Sequence, residues 1–272
     1  MKYNLLFLDI DGTLKQEPHG ISDINKEAIL KACRIGKKIT IASGRSKDML
    51  IPTIKELKLD EFTEAYTIAL NGAHIIENHS GQTLHTVPLP MDLTTLLFEK
   101  AFELKISCHI YTENFAYFNY EDAQFKWYQD RGCRCDLVDM NRSDLGFEEL
   151  ALKFFAFSLE ADKLMVFKEE MADITSGILS AEFSSKYSLE YTSVKASKGI
   201  GMEYICNKLG VPMSETIAAG DGENDISMIK KAGLGVAMKN ALDSVKSIAD
   251  IITKKTCLEN GVTEIIEEYL MP

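Results

Sequence analysis

The chain has no run of the roughly 20 apolar residues that a membrane helix requires, and Leu152 to Leu159 is too short to serve as one. Basic residues are few: 30 Lys and Arg against 41 Asp and Glu leave a formal net charge of -11. That balance disfavours a nucleic-acid backbone or an anionic membrane as partner. It also makes individual lysines and arginines worth following, because an acidic protein that handles an anion must gather its cations locally. The six cysteines, at 33, 108, 133, 135, 206 and 257, have no disulfide-framework spacing. Cys133-Arg134-Cys135 lacks the two-residue gap of a redox or zinc motif, so the cysteines read as reduced and structural. The histidines show no helical metal-ligand spacing, and His74, His79 and His85, around an expected hairpin, read as surface or turn residues. A secretory signal is not expected either, since the apolar stretch near the amino terminus carries Asp9 and Asp11. The expectation is a cytoplasmic protein, monomeric or a small homo-oligomer.

What is present is organised around Leu5-Leu6-Phe7-Leu8-Asp9-Ile10-Asp11-Gly12-Thr13. An unbroken apolar run of strand length reads as a buried parallel strand, and its carboxyl end is where chemistry sits in such sheets. Residues two apart in an extended chain share a face, so Asp9 and Asp11 crowd together where the strand runs out. Two such carboxylates do not both stay ionised cheaply; either one takes a proton or a cation joins them. An acid pair followed by glycine can also simply end a strand and begin a turn.

With 272 residues, 46% of them hydrophobic, two domains are expected. After the first strand come a helix from Ser22 or Asp23 to about Arg34, a strand Lys38–Ala42, and a helix from about Ser46 that Pro52 should kink or delay. Between them lies Ser43-Gly44-Arg45, whose hydroxyl and amide can hold an anion at a helix start and can equally be an ordinary cap. A third strand, Ala65 to Leu70, leads to Asn71-Gly72-Ala73 and a hairpin turn at 78–81. This alternation predicts an α/β fold with a doubly wound, mostly parallel, Rossmann-like sheet.

The rhythm changes over 84–191, where a helix followed by two strands is expected twice. That pattern predicts an inserted α+β cap with helices on one face of an antiparallel sheet, between core segments 1–83 and 192–272. Helix–strand alternation resumes at Ser197-Lys198-Gly199. It delivers Gly220-Asp221-Gly222-Glu223-Asn224-Asp225 at another strand end, then a helix from Ala241 to Ala249 between two short strands, and a last helix from Gly261. Asp9 and Asp221 at neighbouring tips, with the Asp11 carbonyl, make a hard oxygen site suited to magnesium, and Lys198 adds a compact positive charge.

The ordered set Asp-x-Asp-Gly-Thr, Ser-Gly-Arg, Ser-Lys-Gly and Gly-Asp-Gly-Glu-Asn-Asp resembles the four motifs of the haloacid dehalogenase-like superfamily, and more closely its Cof-type phosphatase subgroup. Asn240-Ala241 and Asn260-Gly261-Val262 match further, while Lys239 stands where that subgroup often has glycine. The resemblance implies that Asp9 is the nucleophile forming an aspartyl phosphate and Asp11 the general acid and base. It implies magnesium held by Asp9, the Asp11 carbonyl and Asp221, with Asp225 orienting the site. Phosphate would be held by the Ile10 amide, Ser43, Gly44, Lys198 and Asn224, and Asn71 is a candidate on the substrate side. The implied reaction is magnesium-dependent hydrolysis of small phosphate esters such as sugar or cofactor-related phosphates. A phosphomutase and a non-enzymatic phospho-ligand sensor are the alternatives. The cap would act as lid and substrate reader, with Trp127, Tyr128, Arg131, Arg134 and Tyr187 as residues suited to an organic group.

Overall fold

The computed structural model describes residues 2–16, 18–140, 145–146 and 149–271. In chain order the first elements are β1 (Leu5–Leu8), α1 (Asp23–Arg34), β2 (Lys38–Ala42), α2 (Lys47–Glu56), β3 (Tyr66–Ala69), β4 (His74–Glu77) and β5 (Thr83–Thr86). Next come α3 (Met91–Glu103), β6 (Ser107–Tyr111), β7 (Ala116–Phe118), α4 (Ala123–Asp130), β8 (Cys135–Leu137), β9 (Lys153–Phe157), α5 (Ala161–Thr175), β10 (Leu179–Ser185) and β11 (Ser188–Ser193). The chain closes with α6 (Lys198–Leu209), β12 (Thr216–Gly220), α7 (Ile226–Ile229), β13 (Leu234–Ala237), α8 (Asp243–Lys246), β14 (Ile251–Ile252) and α9 (Gly261–Ile265). These elements form two compact units: Met1–Arg45, Leu50–His85 and Ser197–Pro272 in one, Ser46–Met49 with Thr86–Ala196 in the other.

The first unit holds an eight-stranded sheet in the order β14-β13-β12-β1-β2-β3-β4-β5. β12, β1, β2 and β3 run parallel, and β4 turns back antiparallel to β3. All four β1 residues are fully buried, as a strand covered by helices on both faces must be. Leu8 pairs with Ala219 of β12 on one side and Ile41 of β2 on the other, so the segments following β12, β1 and β2 emerge side by side. The expected doubly wound, mostly parallel α/β sheet is what the chain forms. Ser22 caps α1 by accepting from the Asn25 amide, and Ser197 caps α6 by accepting from the Ile200 amide. Gly210 ends α6 in a left-handed conformation at φ 65°.

α2 includes Pro52 within its span, with Leu50, Thr53 and Ile54 buried. Two local expectations give way. The helix expected over 241–249 shortens to α8: Asn240 and Ala241 are spent on a turn in which the Ala241 amide donates to the Met238 carbonyl and the Asn240 side chain to the Gly12 carbonyl. His74 is buried rather than a surface residue, its Nε2 lying 2.9 Å from Thr83 Oγ1.

The second unit holds a six-stranded sheet in the order β10-β11-β9-β6-β7-β8. Cys108 and Ile110 of β6, Phe154 of β9 and Tyr191 of β11 pack with Leu97 and Phe98 of α3 and Leu164 and Phe167 of α5. Each such side chain contributes about 1.5–3 kcal/mol by burial. His109, which alternates with them along β6, faces the other way and stacks on Phe118 with ring centroids 4.2 Å apart. There Phe125 and Tyr128 of α4 meet Phe118, so helices cover both faces and not one as expected. Burial, with Lys153 adding to it, pushes His109 down to about 3 and keeps it neutral. Among the aromatic and basic residues suited to an organic ligand, Tyr128 is buried against Tyr111, and the Arg131 guanidinium lies 3.6 Å from the Trp127 ring centroid. All six cysteines are free thiols. Among the described residues no helix is long and apolar enough to cross a membrane.

Candidate active site

Asp9 follows β1 directly, and its amide donates to the Ala219 carbonyl of β12 at 3.1 Å, extending the parallel ladder by one residue. The Ile10 carbonyl then accepts from the Leu14 and Lys15 amides, both at 2.9 Å, and curls the chain back beneath the strand tip. Gly12 sits in that curl at φ +89°, and a Cβ there would lie 2.1 Å from Asp221 Oδ2. Any side chain would displace the Asp221 carboxylate, so glycine serves the site as well as the turn.

Two carboxylates meet one ammonium, and a third lies beside them. Lys198, the first residue of α6 and fully buried, donates from Nζ to Asp9 Oδ1 and to Asp225 Oδ1, each at 2.6 Å. Asp225 Oδ2 accepts from the Asp221 and Gly222 amides, both at 2.9 Å, and Asp221 Oδ1 accepts from the Thr13 hydroxyl at 3.0 Å. Oxygens of Asp9, Asp221 and Asp225 all lie within 4.8 Å of one another, a set that could hold a metal ion. Asp225 is part of that cluster, but both its oxygens are already engaged by Lys198 and two amides. The second oxygens of Asp9 and Asp221 are the better donors for a cation, and they suit a hard divalent ion taking oxygen ligands.

The electrostatics carry the same message. Burial and the Asp225 carboxylate push Asp9 well above the usual carboxylate range, against the pull of Lys198. The same two causes push Asp221 up to about 6, against the Thr13 hydrogen bond and Lys198. For Lys198, burial disfavours the ammonium, but Asp225 and Asp9 outweigh it and hold the group above its ordinary range. Three acids around one base leave negative charge to be neutralised, by protons or by a cation.

The other candidates surround this centre. Ser43 is buried, its hydroxyl accepts from the Arg45 amide at 3.2 Å, and its carbonyl accepts from the Asn71 amide at 3.0 Å. Asn71 Oδ1 accepts from Asn224 Nδ2 at 3.1 Å and would lie 3.1 Å from a Cβ on Gly44, so Gly44, Asn71 and Asn224 form one contact group. Leu70 and Asn71 both have positive φ, 50° and 55°, an uncommon pair of left-handed residues. Their turn is held by Gly72 at φ +98°, packed so tightly on Ser197 that a Cβ would fall 2.2 Å from the Ser197 carbonyl oxygen. Asp11 lies apart from the buried cluster, 46% exposed at its side chain, in an ion pair with Arg45. Sequence reasoning gave no role to Arg45, Thr13 or the Asn240 side chain. Arg45 and Thr13 were within reach, standing inside the first two motifs, whereas the Asn240 hydrogen bond to Gly12 spans 228 positions and has no local signal.

A model of the haloacid dehalogenase-like hydrolase family matches residues 6–266. The chain belongs to that family. Haloacid dehalogenase-like relatives match along its whole length. The 5-amino-6-(5-phospho-D-ribitylamino)uracil phosphatase YcsE of Bacillus subtilis is 30% identical over 276 residues, covering 98% of this chain and 96% of its own. Phosphatase YwpJ of the same organism is 28% identical over 292 residues, covering 98% and 99%. A crystal structure of a haloacid dehalogenase-like hydrolase from Bacteroides thetaiotaomicron superposes with a TM-score of 0.88 at 30% identity, covering 98% of this chain and 99% of the other. The Cof-type resemblance read from the motifs is borne out, and the chain is a haloacid dehalogenase-like phosphatase.

Proposed function

We propose that the chain is a magnesium-dependent phosphatase of small phosphorylated metabolites, working through an aspartyl phosphate on Asp9. The observation that carries this reading is the Lys198 ammonium shared between Asp9 and Asp225, with Asp11 two residues beyond Asp9 at the same strand end. A phosphate dianion repels a carboxylate nucleophile, and a buried cation beside that nucleophile offsets the repulsion. In this reading an Asp9 oxygen attacks phosphorus while Asp11 gives its proton to the leaving oxygen. Asp11 then takes a proton from the water that attacks phosphorus, releasing phosphate and restoring Asp9. Ser43, Gly44, Asn224 and the Ile10 amide are assigned to the phosphate oxygens, and Asn71 to holding Asn224. Asp9, the Asp11 carbonyl and Asp221 are assigned to magnesium, and Asp225, through its amide and Lys198 bonds, to orienting the centre. When bound, the ion supplies charge neutralisation and polarises a phosphate oxygen. Relatives named for a phosphoribitylaminouracil and for HMP-PP support cofactor-related and sugar-like phosphates as the substrate class.

The test is phosphate release from a panel of sugar, nucleotide and cofactor phosphates, with magnesium and with excess chelator. Turnover is expected only with magnesium and strongest within the sugar-like and cofactor-related members; release that is indifferent to the chelator would sink the reading. A second measurement checks the ion binding without turnover. The folded Asp221 value of about 6 lies above the unfolded one, so between them the folded chain holds more protons and stability falls as pH rises. Asp9 shifts in the same direction. Thermal melts are therefore expected to show little magnesium stabilisation at pH 5 and clear stabilisation at pH 8, above the Asp221 value.

A further inference from the structure

The fork between Arg45 and Asp11 is the feature of this site that the reaction scheme leaves unused. Arg45 Nε donates to Asp11 Oδ2 at 2.7 Å and Arg45 Nη2 to Asp11 Oδ1 at 2.6 Å, so each oxygen accepts its own bond. The two residues follow β1 and β2, which pair in the sheet. The Arg45 backbone is fixed on both sides: its amide donates to the Ser43 hydroxyl at 3.2 Å and its carbonyl accepts from the Leu70 amide at 3.0 Å. The Arg45 side chain is 24% exposed, less than the 46% of Asp11, so the better-anchored partner holds the more exposed one. An exposed ion pair ordinarily contributes little stability, which turns attention to its geometry. The bidentate fork fixes the plane and direction of a carboxylate, which a single-point contact does not.

We propose that Arg45 is the positioning residue of the reaction: it aims the Asp11 carboxylate at the attacking water, whose proton Asp11 takes, and is not itself a phosphate ligand. This rests on the phosphatase reading above. Without the fork, Asp11 is a solvated carboxylate close to Asp221, whose negative charge repels it. It then spends its time in orientations that miss the attacking water. A misplacement of about 1 Å in such a group costs on the order of 10²-fold in rate.

The experiment is a double-mutant cycle on p-nitrophenyl phosphate, whose good leaving group keeps variants lacking Asp11 measurable. Arg45→Ala is expected to lower kcat about 10²-fold with KM and inhibition by inorganic phosphate changed less than about threefold. In an Asp11→Ala background the same substitution is expected to cost less than about threefold, because the group it positions is gone. Arg45→Lys, which offers a point charge without the fork, is expected to fall between native and Arg45→Ala, and serves as the second variant if alanine does not fold. Equal losses in both backgrounds, or weakened phosphate inhibition in Arg45→Ala, would overturn the proposal and make Arg45 a general structural residue or a phosphate ligand. The native protein run alongside separates the two ideas: no magnesium-dependent turnover at all defeats the phosphatase reading, while turnover with additive losses defeats only the role given to Arg45.

Discussion

Asp9→Asn is expected to lower magnesium-dependent phosphate release by on the order of 10⁴-fold or more, while the protein stays folded and its metal-free form melts no lower than the native chain. The activity loss follows from chemistry: an amide oxygen is a poor nucleophile towards phosphorus, and the substituted side chain would form no acyl phosphate. The stability expectation follows from the cluster. Asp9 sits in a buried site beside Asp225 and Asp221, and burial and these charges push its acid well above the usual range, so folding disfavours its ionised form. Replacing it with a neutral group of the same shape removes that repulsion, and the amide oxygen still accepts from Lys198 in place of Asp9 Oδ1. The two measurements separate nucleophile from scaffold. A variant that unfolds would leave the loss of activity unexplained, and one that retains a tenth of native turnover would exclude Asp9 as the group that carries the phosphoryl. Acid-quench trapping with a radiolabelled phosphate ester adds the direct readout: label on the native protein, none on Asp9→Asn.

How much of this was legible in the sequence depends on how local each signal is. The run from Leu5 to Leu8 announced a buried strand because its four residues are apolar without alternation, and all four are fully buried. Asp9 and Asp11 could be read from that strand's end, and Lys198 from its place at the start of a helix. The parallel pairing of β1 with β12 then sets Asp9 beside Asp221, and the helix that Lys198 opens brings its ammonium to Asp9. What stayed hidden was set by distant partners. Asp9 and Asp11 were expected to crowd together on one side of an extended strand, yet the extended pairing ends at Asp9, and the curl at Ile10 and Gly12 sends Asp11 out to Arg45. The burial of His74 and the shortening of α8 likewise depend on contacts such as Thr83 to His74 and Asn240 to Gly12, which no periodicity encodes. In the inserted unit, α4 was an aromatic stretch without a clear amphipathic face, since its burial rests on two residues, Phe125 and Tyr128. β8, at three residues with two of them exposed, had too little apolar pattern to stand out.

Lys198→Met is expected to have the largest effect on stability of any single substitution in the site. The methionine fills the same space but leaves Asp9 and Asp225, each 2.6 Å from the lost ammonium, as buried acids without their counterion. Breaking a buried pair by removing one partner costs about 3–5 kcal/mol, because the orphaned charge is worse than either the pair or an apolar replacement of both. The loss has a pH signature. Burial holds the Asp9 acid above the usual carboxylate range, so the deficit is expected to be larger at pH 8 than at pH 5, where Asp9 more readily carries a proton. Adding Asp225→Asn should recover stability, since the new side chain can keep its oxygen towards the Asp221 and Gly222 amides and turn its amide group towards Asp9. It should not recover turnover, which is expected to stay down by on the order of 10³-fold, because the charge that offsets the phosphate dianion is still missing. Denaturant melts and phosphate release on the single and double variants check both parts. A single variant as stable as native at pH 8 would mean that the Lys198 ammonium does not stabilise the fold through Asp9 and Asp225. A double variant that regains both stability and turnover would mean that Lys198 serves the fold and not the reaction.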